Sequence, residues 1–171
     1  ELENAKNTLI EFRNKLKSKN IDFVLMVCPE KNVVYPEYMP SYIKRKSIKN
    51  STDQFVEYMK KNTDINIVYP KNILLNYKKE YELYYKFSDF THWNNVGGYV
   101  GFQELMKSID LEVPPLENKR LIITGVTNNF FYPFAKMQEN IYTLTNYPND
   151  NKKELFAKNI LLIHDSYMEY M

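Results

Sequence analysis

The 171-residue chain is poor in several residue types on which small or specialised proteins depend: it has one cysteine, Cys28, four glycines and two histidines. A single cysteine excludes an internal disulfide and a zinc site built on cysteines. No apolar run approaches the roughly 18 residues that a membrane-spanning helix needs, and residues 1–20 are amphipathic and charged, unlike a signal peptide. The net charge of +2 is too small to indicate binding to nucleic acid.

The remaining composition is that of an ordinary globular domain. Hydrophobic residues make up 44% of the chain and charged residues 26%, and the length suits one domain. The 15 tyrosines and 10 phenylalanines are compatible with biased codon usage, which we favour, and also with carbohydrate binding.

Apolar residues at helical spacing alternate along the chain with short apolar runs that are typical of buried strands. This order predicts an α/β fold, a single domain in which a parallel or mostly parallel sheet of about five strands lies between helices. The predicted helices are 2–19, one capped near Ser51, 72–79, 97–109 and 152–158; the predicted strands are 21–28, 65–69, 83–87, 121–124 and 160–163. Residues 126–150 show no readable pattern.

Two segments carry the residue types of a catalytic site. Residues 88–98 (SDFTHWNNVGG) place a carboxylate, a histidine and an indole between a strand and a helix. The apolar run 160–163 is followed by Ser166 on the turn after a strand, where a hydroxyl is exposed and backbone N–H groups are available to bind an oxyanion.

The two segments complement each other chemically. A serine hydroxyl needs a base near neutral pH, and the only histidines, His92 and His164, fall in these segments. Asp89, three residues before His92, can orient it. We therefore predict Ser166 as nucleophile, His92 as base and Asp89 as orienting carboxylate. Asp165 is expected to be structural, bonding backbone N–H groups of the turn.

These segments resemble motifs of the SGNH hydrolases. Residues 165–167 (DSY) resemble the G-D-S nucleophile block, with His164 in place of its glycine. Residues 89–94 (DFTHWN), with Gly97 or Gly98, resemble the D-x-H-W-N-x-x-G block of the AlgX/AlgJ-like (DHHW-type) branch. Here two residues instead of one separate the aspartate from the histidine. As in that branch, the histidine block precedes the serine.

Residues 29–40 also resemble the P-x-K-x-x-x-Y-P stretch of that branch, whose members O-acetylate alginate and other exported polysaccharides. The resemblance implies an SGNH-hydrolase-like (flavodoxin-like) three-layer sandwich and the same three catalytic residues. Trp93, Asn94, Lys31 and Tyr35 are the candidate substrate-binding residues, although Trp93 fits the core, and Lys31 and Tyr35 fit loop packing, equally well.

The resemblance further implies a polysaccharide substrate, a membrane-bound protein that donates the acyl group, and a location outside the cytoplasm, with membrane anchoring in the full-length protein. No metal or organic cofactor is required. A metal site built from Asp89, His92, His164 and Asp165 is disfavoured because nothing fixes the ligand spacing.

Two further questions remain open at this level. Acetyl transfer, ester hydrolysis and a non-catalytic carbohydrate-binding or assembly role share these residues. Residues 1–171 are expected to form one domain that is truncated at its C-terminus, as in a fragment of a longer protein, because too few residues follow Ser166 to form the next helix. The predicted strand 160–163 should then be exposed, covered by a partner, or buried by residues 126–150.

Overall fold

The computed structural model describes residues 1–43, 47, 49–87, 89, 91–117, 121–128, 138–145 and 159–167. The predicted helix 152–158 lies outside these ranges. The described helices are α1 (Leu2–Lys17), α2 (Lys31–Val34), α3 (Ser51–Asn62), α4 (Lys71–Tyr77) and α5 (Asn95–Lys107), with a 3-10 turn at Pro36–Tyr38. The described strands are β1 (Val24–Met26), β2 (Asn66–Val68), β3 (Leu121–Asn128) and β4 (Gln138–Leu144).

β1 and β2 form a parallel pair with helices on both faces. Leu25 lies opposite Ile67 in the register. Successive strand side chains point to opposite faces, and β1 follows this rule: Leu25 packs in the cluster of α1 and α3, whereas Met26 packs in the cluster of α4 and α5. The arrangement is the predicted three-layer sandwich around a short sheet.

Two of the helices, α3 and α5, begin where an asparagine side chain replaces missing backbone partners. The Asn50 side chain accepts a hydrogen bond from the Asp53 N–H at 2.7 Å and caps α3, so the cap lies one residue before the predicted Ser51.

None of the helices in the described part of the chain has both the length and the apolarity to cross a membrane.

β3 and β4 form a separate antiparallel hairpin, in which Leu121 pairs with Leu144. The predicted strand 121–124 is therefore present but longer, and its partner falls in the region that showed no sequence pattern. The Asn95 amide on α5 donates to the Tyr142 carbonyl oxygen at 2.8 Å and joins the hairpin to the core.

Two predicted strands are wrong. In residues 83–87 only Tyr84 forms a β-bridge, antiparallel to Trp93. Residues 160–163 form no strand, and their side chains are 49–86% exposed. The sheet of about five mostly parallel strands is thus replaced, among the described residues, by two strand pairs. An apolar run indicates hydrophobic side chains, but it does not show whether a neighbouring strand is present to pair with the run and bury it.

Candidate active site

Ser166 lies on an exposed turn after residues 159–165. The Asp165 side chain accepts a hydrogen bond from the Tyr167 N–H at 3.0 Å, which is the kind of contact expected of it. The His164 ring contacts the Asp165 carbonyl oxygen at 2.8 Å and is exposed. His164 therefore belongs to the turn and not to the group around His92.

Asp89 organises the loop that carries His92. Its Oδ1 accepts hydrogen bonds from the N–H groups of Thr91, at 2.8 Å, and His92, at 2.9 Å. Its Oδ2 lies 2.6 Å from His92 Nδ1. Two intervening residues allow one carboxylate to close the turn with one oxygen and bond the imidazole with the other. The D-x-x-H spacing is thus compatible with an orienting role.

The other nitrogen of His92 faces the serine. His92 Nε2 lies 2.7 Å from Ser166 Oγ, although the two residues are 74 positions apart. The structure therefore joins Asp89, His92 and Ser166 in one chain of hydrogen bonds. With Nδ1–H donating to the carboxylate, Nε2 is left as an acceptor for the serine proton.

The Asp89 carboxylate, which begins this series of hydrogen bonds, stays ionised. Burial raises the pKa of Asp89, but the hydrogen bonds from the backbone of His92 and Thr91 and from the His92 side chain together outweigh it. The pKa of Asp89 consequently lies below its ordinary value. An ionised Asp89 stabilises the protonated imidazole that forms when His92 takes a proton.

Tyr167 connects the serine turn to the histidine loop, and sequence reasoning missed this role. Its hydroxyl donates to the Thr91 carbonyl oxygen at 2.9 Å, and its own carbonyl oxygen accepts from Trp93 Nε1 at 2.7 Å. Its ring lies 4.7 Å from the His92 ring, centre to centre. The only sequence signal was its position next to Ser166.

Trp93 and Asn94 do not reach the surface as substrate-binding residues would. Trp93 is 0% exposed, so no face of its indole is open to a sugar ring, and the core interpretation is the correct one. Asn94 is 3% exposed. Its amide oxygen caps α5 by accepting from Val96 and Gly97 N–H groups, and its Nδ2 donates to the Glu82 carbonyl oxygen at 2.8 Å.

Gly97 explains the glycine that ends this block. A Cβ at that position would lie 2.1 Å from the Leu83 carbonyl oxygen, far inside contact distance. That oxygen is fixed because it accepts the Asn94 N–H at 2.9 Å. Only glycine lets α5 approach the segment before the histidine loop so closely.

Lys31 and Tyr35 line a cavity of about 230 Å³ beside the histidine loop. Lys31 Nζ donates to the carbonyl oxygens of Lys86, at 3.3 Å, and Asp89, at 3.2 Å. The Tyr35 hydroxyl accepts the Leu83 N–H at 3.2 Å. Both residues are therefore tied to loop backbone as well as lining the cavity. Its lining consists of Lys31, Tyr35, Tyr38, Lys78, Lys79, Glu80, Tyr81, Glu82, Tyr84 and Lys86.

One buried carboxylate also went unnoticed in the sequence. Glu139 on β4 is 8% exposed and accepts hydrogen bonds from the backbone of Lys86 and Phe87. It lies in the stretch with no readable pattern. Within the described ranges, no three histidine, cysteine or acidic side chains come together as a metal site would require.

A family described as "SGNH hydrolase-like domain, acetyltransferase AlgX" matches residues 1–127. No curated protein sequence matches the chain. The fold is similar to that of two solved proteins. Bacillus cereus PatB1, in a structure with a sulfonyl adduct, has 19% identity and a TM-score of 0.56, over 86% of this chain and 51% of that one. The O-acetyltransferase domain of Pseudomonas putida AlgJ has 19% identity and a TM-score of 0.54, over 78% of this chain and 51% of that one.

The chain thus spans about half the length of the solved structures that it matches. At these identities the structural similarity establishes the fold, which is SGNH-hydrolase-like, as predicted. The family match covers the histidine block and ends before the serine turn. The roles of the individual site residues therefore depend on the geometry above.

Proposed function

Because the chain belongs to the SGNH hydrolase-like acetyltransferase family of AlgX, we propose that it transfers an acetyl group, through a serine ester, to hydroxyl groups of an exported or cell-surface polysaccharide. The observation that carries the proposal is the hydrogen-bonded chain from Asp89 through His92 to Ser166, with links of 2.6 and 2.7 Å. A nucleophile, a base and an orienting acceptor in this order are the requirements of acyl transfer by serine.

In the first half-reaction, His92 Nε2 accepts the Ser166 hydroxyl proton as Oγ attacks the carbonyl carbon of a donor acetyl ester. The C–O bond to the leaving group breaks, the proton passes from His92 to that group, and acetyl-Ser166 remains. Asp89 stabilises the imidazolium between the two proton transfers. Because the Tyr167 N–H is bonded to Asp165, we assign the oxyanion to the Ser166 N–H.

In the second half-reaction, a sugar hydroxyl attacks the acetyl carbon while His92 accepts its proton. The serine ester breaks, and His92 returns the proton to Ser166 Oγ. Neither half-reaction needs a metal or an organic cofactor. The enzyme needs a donor and an acceptor, and transfer to the sugar requires that water has limited access to acetyl-Ser166.

We assign acceptor binding to the cavity beside the histidine loop. Tyr38 is 75% exposed, and its ring stacks on Tyr35 at 5.8 Å between centres. An exposed, supported tyrosine is a platform for the apolar face of a sugar ring. Among the described residues, Lys31 donates to two loop carbonyls, and we assign its third N–H to a hydroxyl or carboxylate of the acceptor. We therefore propose that Lys31 and Tyr35 bind the acceptor.

We further propose that the reaction takes place outside the cytoplasm, where an exported polysaccharide is accessible, and that a membrane-bound protein supplies the acetyl group. We also propose that the full-length protein is anchored to the membrane.

Release of p-nitrophenol from p-nitrophenyl acetate tests the chemistry. Ser166→Ala should abolish turnover while leaving the domain folded, whereas Ser18→Ala, at an exposed serine near the end of α1, should keep it. Phenylmethylsulfonyl fluoride should add one sulfonyl group to the wild-type mass by replacing fluoride with Ser166 Oγ. Turnover or labelling that persists in folded Ser166→Ala would remove the serine-ester mechanism.

Ester hydrolysis is the second candidate, and the exposure of Ser166 favours it because water can reach the acetyl-serine. The partition of acetyl between water and an added oligosaccharide separates the two activities. A folded chain without Ser166-dependent turnover or labelling would instead support the non-catalytic binding or assembly role.

A further inference from the structure

The backbone that leads to Asp89 is held by hydrogen bonds to two side chains of opposite charge. Glu139 Oε2 accepts hydrogen bonds from the N–H groups of Lys86 and Phe87, the latter at 3.2 Å. Lys31 Nζ donates to the carbonyl oxygens of Lys86, at 3.3 Å, and Asp89, at 3.2 Å. The N–H groups of Lys86 and Phe87 thus bond to an anion, and the carbonyl oxygens of Lys86 and Asp89 bond to a cation.

The two charges come from distant parts of the chain and act on each other. Burial lowers the pKa of Lys31, and the negative charges of Glu139 and Asp89 oppose that effect. Burying a carboxylate is costly unless it is hydrogen-bonded or paired. Glu139 is 8% exposed and is compensated at this loop by the hydrogen bonds from the Lys86 and Phe87 N–H groups. The positive charge of Lys31 acts on it in addition.

We propose that Glu139 is a positioning residue of the acyl-transfer site, which fixes the loop carrying Asp89 through the N–H groups of Lys86 and Phe87. The inference rests on the proposed function, because Asp89 must stay 2.6 Å from His92 Nδ1 for the tautomer to hold. Asp89 is three residues from Lys86, so a shift of this backbone moves its carboxylate. Misplacement by about 1 Å costs on the order of a hundredfold in rate.

A pair of substitutions separates the reach of Glu139 from its charge. Both N–H groups bond the same oxygen, so the amide oxygen of Glu139→Gln can replace it without the charge. Glu139→Asp keeps the charge but is shorter by one C–C bond, about 1.5 Å. Reach should therefore matter more than charge.

The readouts are kcat and KM for p-nitrophenyl acetate and the hydrogen exchange of the Lys86 and Phe87 amides, followed by NMR. We expect Glu139→Gln to stay within about threefold of the wild-type kcat. Glu139→Asp should lower kcat by about 10–100-fold with KM unchanged, and both amides should exchange faster.

Wild-type kcat in Glu139→Asp, or an equal loss in Glu139→Gln, would overturn the assignment. If Glu139→Asp does not fold, Lys31→Met provides the second test, because it removes the hydrogen bonds to the carbonyl oxygens of Lys86 and Asp89. A lower kcat with faster exchange of the Lys86 and Phe87 amides supports the proposal, and unchanged values overturn it. If the wild type itself lacks turnover, the proposed function fails. The exchange data still decide whether Glu139 holds the loop.

Discussion

Replacing Asp89 with asparagine changes one carboxylate oxygen and leaves the other in place. The N–H groups of Thr91 and His92 require an acceptor at Oδ1, where they lie at 2.8 and 2.9 Å. The amide of Asp89→Asn must therefore present its oxygen to the turn. Its NH₂ group then occupies the position 2.6 Å from His92 Nδ1.

An NH₂ group can only donate to Nδ1, so the imidazole proton moves to Nε2. Nε2 then donates to Ser166 Oγ, 2.7 Å away, instead of accepting its proton. The wrong tautomer and the lost charge should lower kcat by about 10³–10⁴-fold, or ~4–5.5 kcal/mol. KM should change little, because the substitution does not touch the cavity.

Steady-state turnover of p-nitrophenyl acetate measures both constants, with circular dichroism to verify the fold. Asp64→Asn, at an exposed ion pair with Arg13, is the matched control and should retain wild-type kcat. Because the pKa of Asp89 is lowered, its carboxylate should be ionised and should support kcat at all pH values above about 4. This effect on kcat should be lost only as the pH falls through the pKa of Asp89 in the folded protein. Wild-type kcat in a folded Asp89→Asn chain would refute the orienting role.

Four other outcomes are expected. Burial, with a smaller effect of the Asp165 charge, raises the pKa of the Cys28 thiol to about 12, so a disulfide reagent at pH 8 should react about a thousandfold faster after unfolding; equal rates would contradict the burial. Asp53→Asn should lower the free energy of unfolding by about 1–3 kcal/mol at pH 7, because the carboxylate bonds Lys71 at 2.7 Å. Burial raises the pKa of Asp53, but the bonds to Lys71 and Tyr69 outweigh it and the pKa is lowered; the difference should therefore vanish in urea melts as the pH falls from about 4 through the folded pKa. Gly97→Ala should lower the free energy of unfolding by about 1–3 kcal/mol in thermal melts, despite the higher helix propensity of alanine. A stabilised protein would show that the Leu83 carbonyl oxygen, 2.1 Å from the position of the new Cβ, moves away at little cost. Tyr38→Ala should raise KM for an oligosaccharide acceptor without changing p-nitrophenyl acetate hydrolysis, and an unchanged KM would remove Tyr38 from the acceptor site.

The sequence was sufficient for the elements whose stability is largely local. The 3.6-residue spacing in 2–19 and 97–109 predicted α1 and α5 to within two residues at every end. The apolar runs around Leu25 and Ile67 predicted the two parallel strands. The chemistry of serine, histidine and aspartate also predicted Ser166, His92 and Asp89 as one group, because the chain has so few histidines. The structure joins these three side chains by hydrogen bonds, and their catalytic roles stay a prediction.

The tertiary structure decided what depends on partners distant in sequence. Residues 160–163 are as apolar as a buried strand but lack a paired neighbour among the described residues, so they stay exposed. Trp93 and Asn94 carry side chains that suit a binding site, yet packing against α5 and capping it buries both. Their neighbours along the chain did not reveal this.

The site itself is tertiary in the same sense. His92 contacts Ser166 across 74 residues, and Glu139 contacts the backbone of Phe87 and Lys86 across 52 and 53 residues. Local patterns predict helices because each turn bonds to the next along the chain. A contact between distant segments exists only after the entropy of closing the intervening chain has been offset by packing elsewhere, and no residue pattern near Glu139 carries that information.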